Sequence, residues 1–283
     1  VKIAVLCSRV RIEEKLLFAA LEDRGVTFDR LDTRELAFDT SRQRSCEYDA
    51  VLVRCLSDSR AFYLTHWFES FGVMTINCHR AIAVCGDKLR TSIALHNAGI
   101  PTPRTVFAFE PNRMIAAIED IGYPVVLKPI RGSWGRLLAK VNDRCAAEAL
   151  LEHKKTLGGV AHGVFYAQEY VDKPGRDLRA LVVGDEIPYA IWRSSEHWIT
   201  NTATGGEPEL CSVSEDVREL ALRAARAVRG EIVGVDLLET ADGRLVVNEI
   251  NHTPEFHSSV RVSDIDIAGY MVEYVIAKLE EDS

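Results

Sequence analysis

EIVGVDLLETADGRLVVNEINHTPEF, residues 231–256, is the stretch whose reading decides the fold. Two apolar runs, Ile232–Leu238 and Leu245–Val247, flank Asp242-Gly243, a pair that favours the tight turn of an antiparallel hairpin. With those two residues as the turn, Ala241 faces Arg244, Leu238 faces Val247 and Asp236 falls opposite Glu249. Asn251, two residues beyond Glu249, shares its face because strand side chains alternate. Directly opposed like charges oppose pairing by roughly 0.2–1 kcal/mol, and more when buried. Two carboxylates and an amide oxygen on one face suit a hard divalent cation such as Mg²⁺, which commonly completes its shell with nucleotide phosphates and water. From spacing alone, an exposed hairpin whose acids face water is an equal reading. Apolar residues on both faces favour a buried hairpin, and with it the metal reading.

The chain has 283 residues, which implies two or three domains. It is 47% hydrophobic and 27% charged, the composition of a soluble globular protein. No apolar run reaches the roughly 18–20 residues of a membrane span, so no membrane role is expected. VKIAVLC at the start reads as a buried strand, without the charged region and cleavage site of a signal peptide. A net charge of −8 argues against general nucleic-acid binding. The seven cysteines are scattered and contain no Cys-x-x-Cys, which points to a reduced, cytoplasmic protein without structural zinc.

Residues 2–7, a helix over Ile12–Arg24 closed by Gly25, strands Ala50–Val53 and Val73–Ile76, and an amphipathic helix between them set a βαβ rhythm. They predict an open α/β domain over 1–86 with a largely parallel sheet. Gly-x-Gly-x-x-Gly is absent, so a fingerprinted dinucleotide fold is not supported. Asp87 reads as the N-cap of a helix ending near Gly99. A helix around Arg113–Ile121, strands Tyr123–Lys128 and Leu137–Val141 and a helix over Ala146–Leu157 then fill a central domain, 87–160. Gly158-Gly159 marks the second boundary. Strands Val164–Val171, Leu178–Val183 and Pro188–Arg193, a helix over Glu215–Val228, the hairpin and a terminal helix from Ile267 make the C-terminal domain, 161–283, of α+β character.

Several segments carry candidate chemistry. Lys128 ends an apolar strand before Arg131-Gly132-Ser133-Trp134-Gly135-Arg136, where small residues let backbone N–H groups approach phosphate. The order lysine, glycines, strand is not that of a P-loop, and an ordinary hairpin turn reads the same way. Lys88 by itself reads as a surface lysine. Gln168-Glu169-Tyr170-Val171 ends a strand whose backbone groups could meet an adenine edge; an edge strand is the plainer alternative. Asp177 and Arg179 share a face, with Arg193 and Asn201 further on, and a planar guanidinium suits carboxylates and phosphates. A surface ion-pair set is the other reading. His252 and His257 are left out of the metal set because a hard ion takes oxygen ligands. Neither Gly-x-Ser-x-Gly nor a Cys/His couple supports a nucleophilic hydrolase.

The order of these segments resembles the ATP-grasp superfamily over almost the whole chain. The resemblance rests on Gly86-Asp87-Lys88, Leu127-Lys128-Pro129, Gly132-Ser133-Trp134-Gly135, residues 168–171, Pro174–Arg179 and Asn248-Glu249-Ile250-Asn251. Within it, the runs 132–141, 197–203 and 247–253 look closest to the LysX ligases, with RimK-type glutamate ligases next. That resemblance implies three domains, with nucleotide between the central and C-terminal ones. By motif, Lys88 and Lys128 would contact ATP phosphates or adenine, and Gly132, Ser133, Trp134 and Gly135 would belong to the nucleotide-binding set. Gln168, Glu169, Tyr170 and Val171 would hold adenine and Asp177 the ribose. Asp236, Glu249 and Asn251 would bind Mg²⁺, while Arg179, Arg193 and Asn201 would line the reacting phosphate and acceptor carboxylate.

The implied reaction is ATP-dependent activation of the C-terminal glutamate of a small acidic amino-group carrier protein of the LysW type. An amine, the α-amino group of 2-aminoadipate or a related amino acid, then attacks the acyl phosphate. No protein nucleophile is needed. Two departures bear on the amino acid: Thr204 stands where LysX chains have arginine, and His257 where they commonly have lysine. Glutamate or an unusual amino acid therefore stays open. So do a RimK-like ligase adding glutamate to a protein tail and a nucleotide-binding module without turnover. The family also suggests a homodimer or homotetramer. An acidic carrier needs a basic docking patch, for which Arg54, Arg60, Arg131 and Arg136 are candidates.

Overall fold

The computed structural model describes residues 1–41, 45–132, 135–159, 163–201 and 205–281. Its N-terminal part comprises β1 (Lys2–Cys7), α1 (Ile12–Asp23), β2 (Thr27–Asp32), β3 (Ala50–Val53), α2 (Asp58–Glu69) and β4 (Met74–Ile76). The sheet order is β2-β1-β3-β4 and every pairing is parallel, as the alternating rhythm predicts. Buried apolar side chains make up β1 and β3, as expected of a sheet covered on both faces. Gly25, with φ +66°, closes α1: the next amide, of Val26, donates back to Leu21 O. β2 is an edge strand with Asp29, Arg30 and Asp32 among six residues, which hid it from a hydrophobicity reading.

Next come α3 (His79–Cys85), α4 (Lys88–Asn97), β5 (Thr105–Ala108), α5 (Pro111–Ile121), β6 (Val125–Lys128), β7 (Ala139–Val141), α6 (Arg144–Leu157) and β8 (Phe165–Glu169). Asp87 caps α4 by accepting from the amides of Leu89 and Arg90, both at 3.1 Å. The antiparallel order β5-β8-β6-β7 puts α5 and α6 over a core that includes Met114, Ile118, Val125 and Leu151. The expected break at 160 lies outside the described residues. β8 follows it, yet pairs with both β5 and β6, so this sheet extends through Glu169.

The last part holds β9 (Arg176–Val183), β10 (Glu186–Ser194), β11 (Glu207–Cys211), α7 (Glu215–Val228), β12 (Ile232–Glu239), β13 (Leu245–Asn251), α8 (His257–Val260) and α9 (Ile267–Glu281). Its antiparallel sheet runs β11-β10-β9-β12-β13. One face packs Leu178, Val182, Val233 and Val235 against α7 and Leu95 of α4. The other packs Leu181, Tyr189 and Ile232 into a core shared with α9, Leu17 of α1 and Ile3 of β1. β12 therefore lies between two packed cores, with β13 beside it at the edge of the sheet.

Its pairing corrects the expected two-residue turn. Thr240 N donates to Arg244 O and Gly243 N to Thr240 O, so residues 240–244 make a wider turn. Leu238 then faces Val246, and Leu237 faces Val247, one residue off the expected register. A bulge follows, and past it Asp236 faces Glu249 as expected. Asn248 is the extra residue. Bulges re-aim a side chain, and this one sends its amide oxygen to Lys128 Nζ at 3.0 Å. Among the described residues, no helix is long and apolar enough to cross a membrane.

Candidate active site

Asp236 sits on β12, where Arg179 of β9 is its ladder neighbour on one side and Glu249 on the other. Arg179 donates to both carboxylate oxygens of Asp236, Nε to Oδ1 and Nη2 to Oδ2, each at 2.7 Å. Arg193 Nη2 approaches Oδ1 at 3.3 Å, and Asn251 Nδ2 approaches Oδ2 at 3.3 Å. Burial by itself raises the Asp236 carboxyl, but the two guanidiniums outweigh it and hold the group below the usual carboxylate range. Gly234 keeps this arrangement compact, since a Cβ there would stand 3.3 Å from Pro254.

Eight of the sequence-selected residues line one pocket: Lys88, Gly132, Arg179, Arg193, Asn201, Asp236, Glu249 and Asn251. Lys88 Nζ bridges Gly132 O at 2.6 Å and Glu249 Oε1 at 3.4 Å, so the central loop and the hairpin meet through it. Lys128 stands behind this wall, buried and bonded to the side-chain oxygens of Gln168 and Asn248. Burial lowers its ammonium to about 8; Glu249 opposes that shift, and Lys88 and Lys173 add to it.

Asp177 lies away from the pocket lining. It accepts from Arg193 Nε at 2.6 Å and from Thr200, with Lys173 Nζ at 3.5 Å, so its two oxygens orient Arg193. Glu169 and Tyr170 bind neighbouring chain through their amides, to Arg104 O and Pro124 O, and Glu169 Oε2 accepts from the Arg104 amide. Gln168 is buried, Val171 half-buried, and Gly135 takes φ +65° in the turn before β7. Ser133, Trp134 and Thr204 lie outside the described residues.

One expectation is overturned. Arg54 cannot dock a partner, because it is 3% exposed and bonds Glu14 Oε1 at 3.1 Å and Pro254 O at 3.0 Å. Arg60, Arg131 and Arg136 are exposed. His257 likewise bonds Glu13 at 2.8 Å and is not part of the pocket lining. The sequence reading missed Asn248, Lys173 and Thr200, whose roles depend on a bulge and on cross-strand packing. It also missed the N-terminal wall of the pocket, where Asp58 meets His252 Nε2 at 3.4 Å.

The donor set fits a magnesium ion. Two carboxylates and an amide, from residues adjacent on two strands, converge on one pocket edged by cations that suit phosphate. Among the described residues, no three His, Cys, Asp or Glu side chains gather as a metal cluster, so the set has two carboxylates and relies on the amide and on nucleotide phosphate to complete it. Three sheets thus surround a pocket, where the central loop meets the hairpin, whose cations suit the phosphates of a nucleotide.

The RimK-like ATP-grasp domain family matches residues 85–275, and the LysX preATP-grasp domain family matches residues 3–84. The chain belongs to the RimK-like ATP-grasp family, is a ligase, and uses ATP and Mg²⁺. It is 35% identical to the glutamate–LysW ligase ArgX of Sulfurisphaera tokodaii, over 97% of this chain and 98% of that one. The α-aminoadipate–LysW ligase LysX of the same organism is 32% identical, over 99% and 98%. Among solved structures, a RimK-domain ATP-grasp protein of Sphaerobacter thermophilus superposes with a TM-score of 0.80 at 27% identity, covering 97% and 99%.

Proposed function

We propose that this ligase activates the C-terminal glutamate of a LysW-type carrier protein and joins it to the α-amino group of an acidic amino acid, 2-aminoadipate or glutamate. The observation that carries the reading is the gathering of Lys88, Arg179, Arg193, Asp236, Glu249 and Asn251 in one pocket. Support for the carrier comes from full-length similarity to ligases named for LysW. Those relatives take glutamate in one case and α-aminoadipate in the other at nearly equal identity, so the shared chemistry is an α-amino dicarboxylic acid.

Asp236, Glu249 and Asn251 would hold Mg²⁺, with the Asn251 amide turned to present its oxygen. Bound there, the ion neutralises phosphate charge. Lys88 and Lys128 take the nucleotide phosphates, and the 168–171 segment holds adenine through its backbone. Asp177 on this reading reaches a ribose only by sharing an oxygen already bound to Arg193 or Thr200. Arg179 and Arg193, with Asn201, orient the acceptor carboxylate and the transferring phosphoryl group. The carboxylate oxygen attacks the γ-phosphorus, and the bond to ADP breaks. The amine then attacks the acyl carbon, and phosphate and a proton leave. Guanidiniums fixed by Asp236 and Asp177 need no reorganisation as charge moves onto the leaving groups.

The test combines enzyme, ATP, Mg²⁺ and a carrier ending in glutamate, and follows ADP release and carrier mass with a panel of amino acids. One increment, from glutamate or 2-aminoadipate, is expected. Repeated glutamate increments would assign protein-tail glutamylation instead, and nucleotide binding without ADP release under any pairing would contradict the ligation proposed here.

A further inference from the structure

Asn77 follows β4 in the N-terminal part and lies far in sequence from the hairpin, yet its side chain is bonded entirely to the hairpin's open end. Its Nδ2 donates to Ile232 O and to His252 O, each at 2.7 Å. Its Oδ1 accepts from the amides of Glu231 at 2.7 Å and Ile232 at 2.9 Å. Two carbonyls and two amides fix which way the carboxamide points, since the flipped group would oppose donor to donor. Asn77, Ile232 and His252 are all buried, so the bonds among them have no water to fall back on.

The place of these bonds matters. The ladder between β12 and β13 ends at Gly234 facing Asn251, and beyond it the strands have no further rungs. Ile232 lies two residues outside that last pair on β12, and His252 one residue outside it on β13. The Asn77 amide joins them, standing in for a missing strand rung. Asp236 is two residues inward from Gly234, and Asn251 is in the closing pair itself.

We propose that Asn77 is a positioning residue for the metal set, holding Asn251 at the distance from Asp236 that a shared divalent ion requires. The inference rests on the reading of Asp236, Glu249 and Asn251 as ligands. Without the clamp, the chain past the last pair of β13 is still gripped by Asp58 and Arg54 but is no longer tied to β12, and the amide ligand is the first to shift. The two carboxylates, inside the ladder, stay in place. The cost therefore falls on metal affinity more than on nucleotide affinity at saturating metal.

Mn²⁺ binding to the full chain with a non-hydrolysable ATP analogue, followed by electron paramagnetic resonance, tests this directly. Asn77→Asp is nearly isosteric but sets a carboxylate against two carbonyls; Asn77→Ser is the second variant, in case the first does not fold. Each should raise the Mn²⁺ half-saturation about tenfold, with analogue affinity at saturating Mn²⁺ within about twofold of the parent. Ile118→Ala, in the central core, lowers the melting temperature without touching the hairpin and should leave both affinities unchanged. Half-saturation unaltered in folded Asn77 variants would overturn the inference. Asp236→Asn, run alongside, separates the two readings: if it too binds Mn²⁺ normally, the ligand assignment itself fails.

Discussion

Arg179 and Asp236 are ladder partners on β9 and β12 and are joined by two hydrogen bonds of 2.7 Å in the interior of the C-terminal sheet. A carboxylate read from sequence as a metal ligand is thus also the anchor of two guanidiniums. On the metal reading proposed above, that double use ties the stability of the sheet to the chemistry of the site.

Asp236→Asn should remove turnover and also weaken the fold. A neutral amide leaves Arg179 and Arg193 buried without their shared counter-charge, and breaking a buried pair costs about 3–5 kcal/mol. Denaturant unfolding and ADP release measure the two effects separately. An exposed acid would change stability by no more than about 0.5 kcal/mol.

On the proposed role of Lys128 as a phosphate contact, its buried ammonium should make nucleotide binding pH-dependent. Its value in the folded protein is about 8, below the ordinary 10.5. It is charged below pH 8 and neutral above, so ATP affinity should be flat below pH 8 and fall towards pH 9. Binding above pH 8 should take up a proton, visible as a buffer-dependent heat in calorimetry. For the free protein the sign is opposite: between about pH 8 and 10.5 the unfolded chain binds more protons, so stability from this group rises with pH. Lys128→Met should abolish both dependences.

Arg54→Met tests the correction to the docking patch. It leaves Glu14 buried with Arg11 as remaining cation and Pro254 O without its donor, and should cost roughly 3 kcal/mol or more. Arg60→Glu and Arg131→Glu, at exposed positions beside the pocket residues Asp58 and Gly132, should leave the melting temperature unchanged. They should raise the KM for an acidic carrier several-fold, with the effect fading as salt increases.

Acid should loosen the contact between the N-terminal part and the 252–257 segment. Burial raises the Glu14 carboxyl, but bonding to Arg11 and the charge of Arg54 outweigh it and hold the group below 4.5. Its contribution is complete above about pH 4.5 and is lost as pH falls through the lower folded value. A pH series of melting temperatures should show that loss, and Glu14→Gln should flatten it.

Much of this was legible in the residues, for physical reasons. β1, β3 and β12 are apolar runs in buried strands, and α7 has a strongly amphipathic pattern capped by Ser214, so each announces itself. Charged β2 and β11 do not, because edges need few apolar side chains, and β5 is only four residues long, too short for its alternation to stand out. The opposition of Asp236 and Glu249 was read correctly through two compensating departures, a wider turn at 240–244 and a bulge at Asn248. Neither has a local signature strong enough to read. Long-range bonds, such as Asn77 to His252 and Arg54 to Pro254, span 175 and 200 residues and follow only from the packed fold.

The most direct measurement is an anomalous difference map from crystals grown with Mn²⁺ and a non-hydrolysable ATP analogue. The account predicts a peak within roughly 2–2.5 Å of oxygens from Asp236, Glu249 and Asn251 and from the nucleotide phosphates. A peak bound to phosphate alone, with Asp236 still held by Arg179, Arg193 and Asn251, would contradict it.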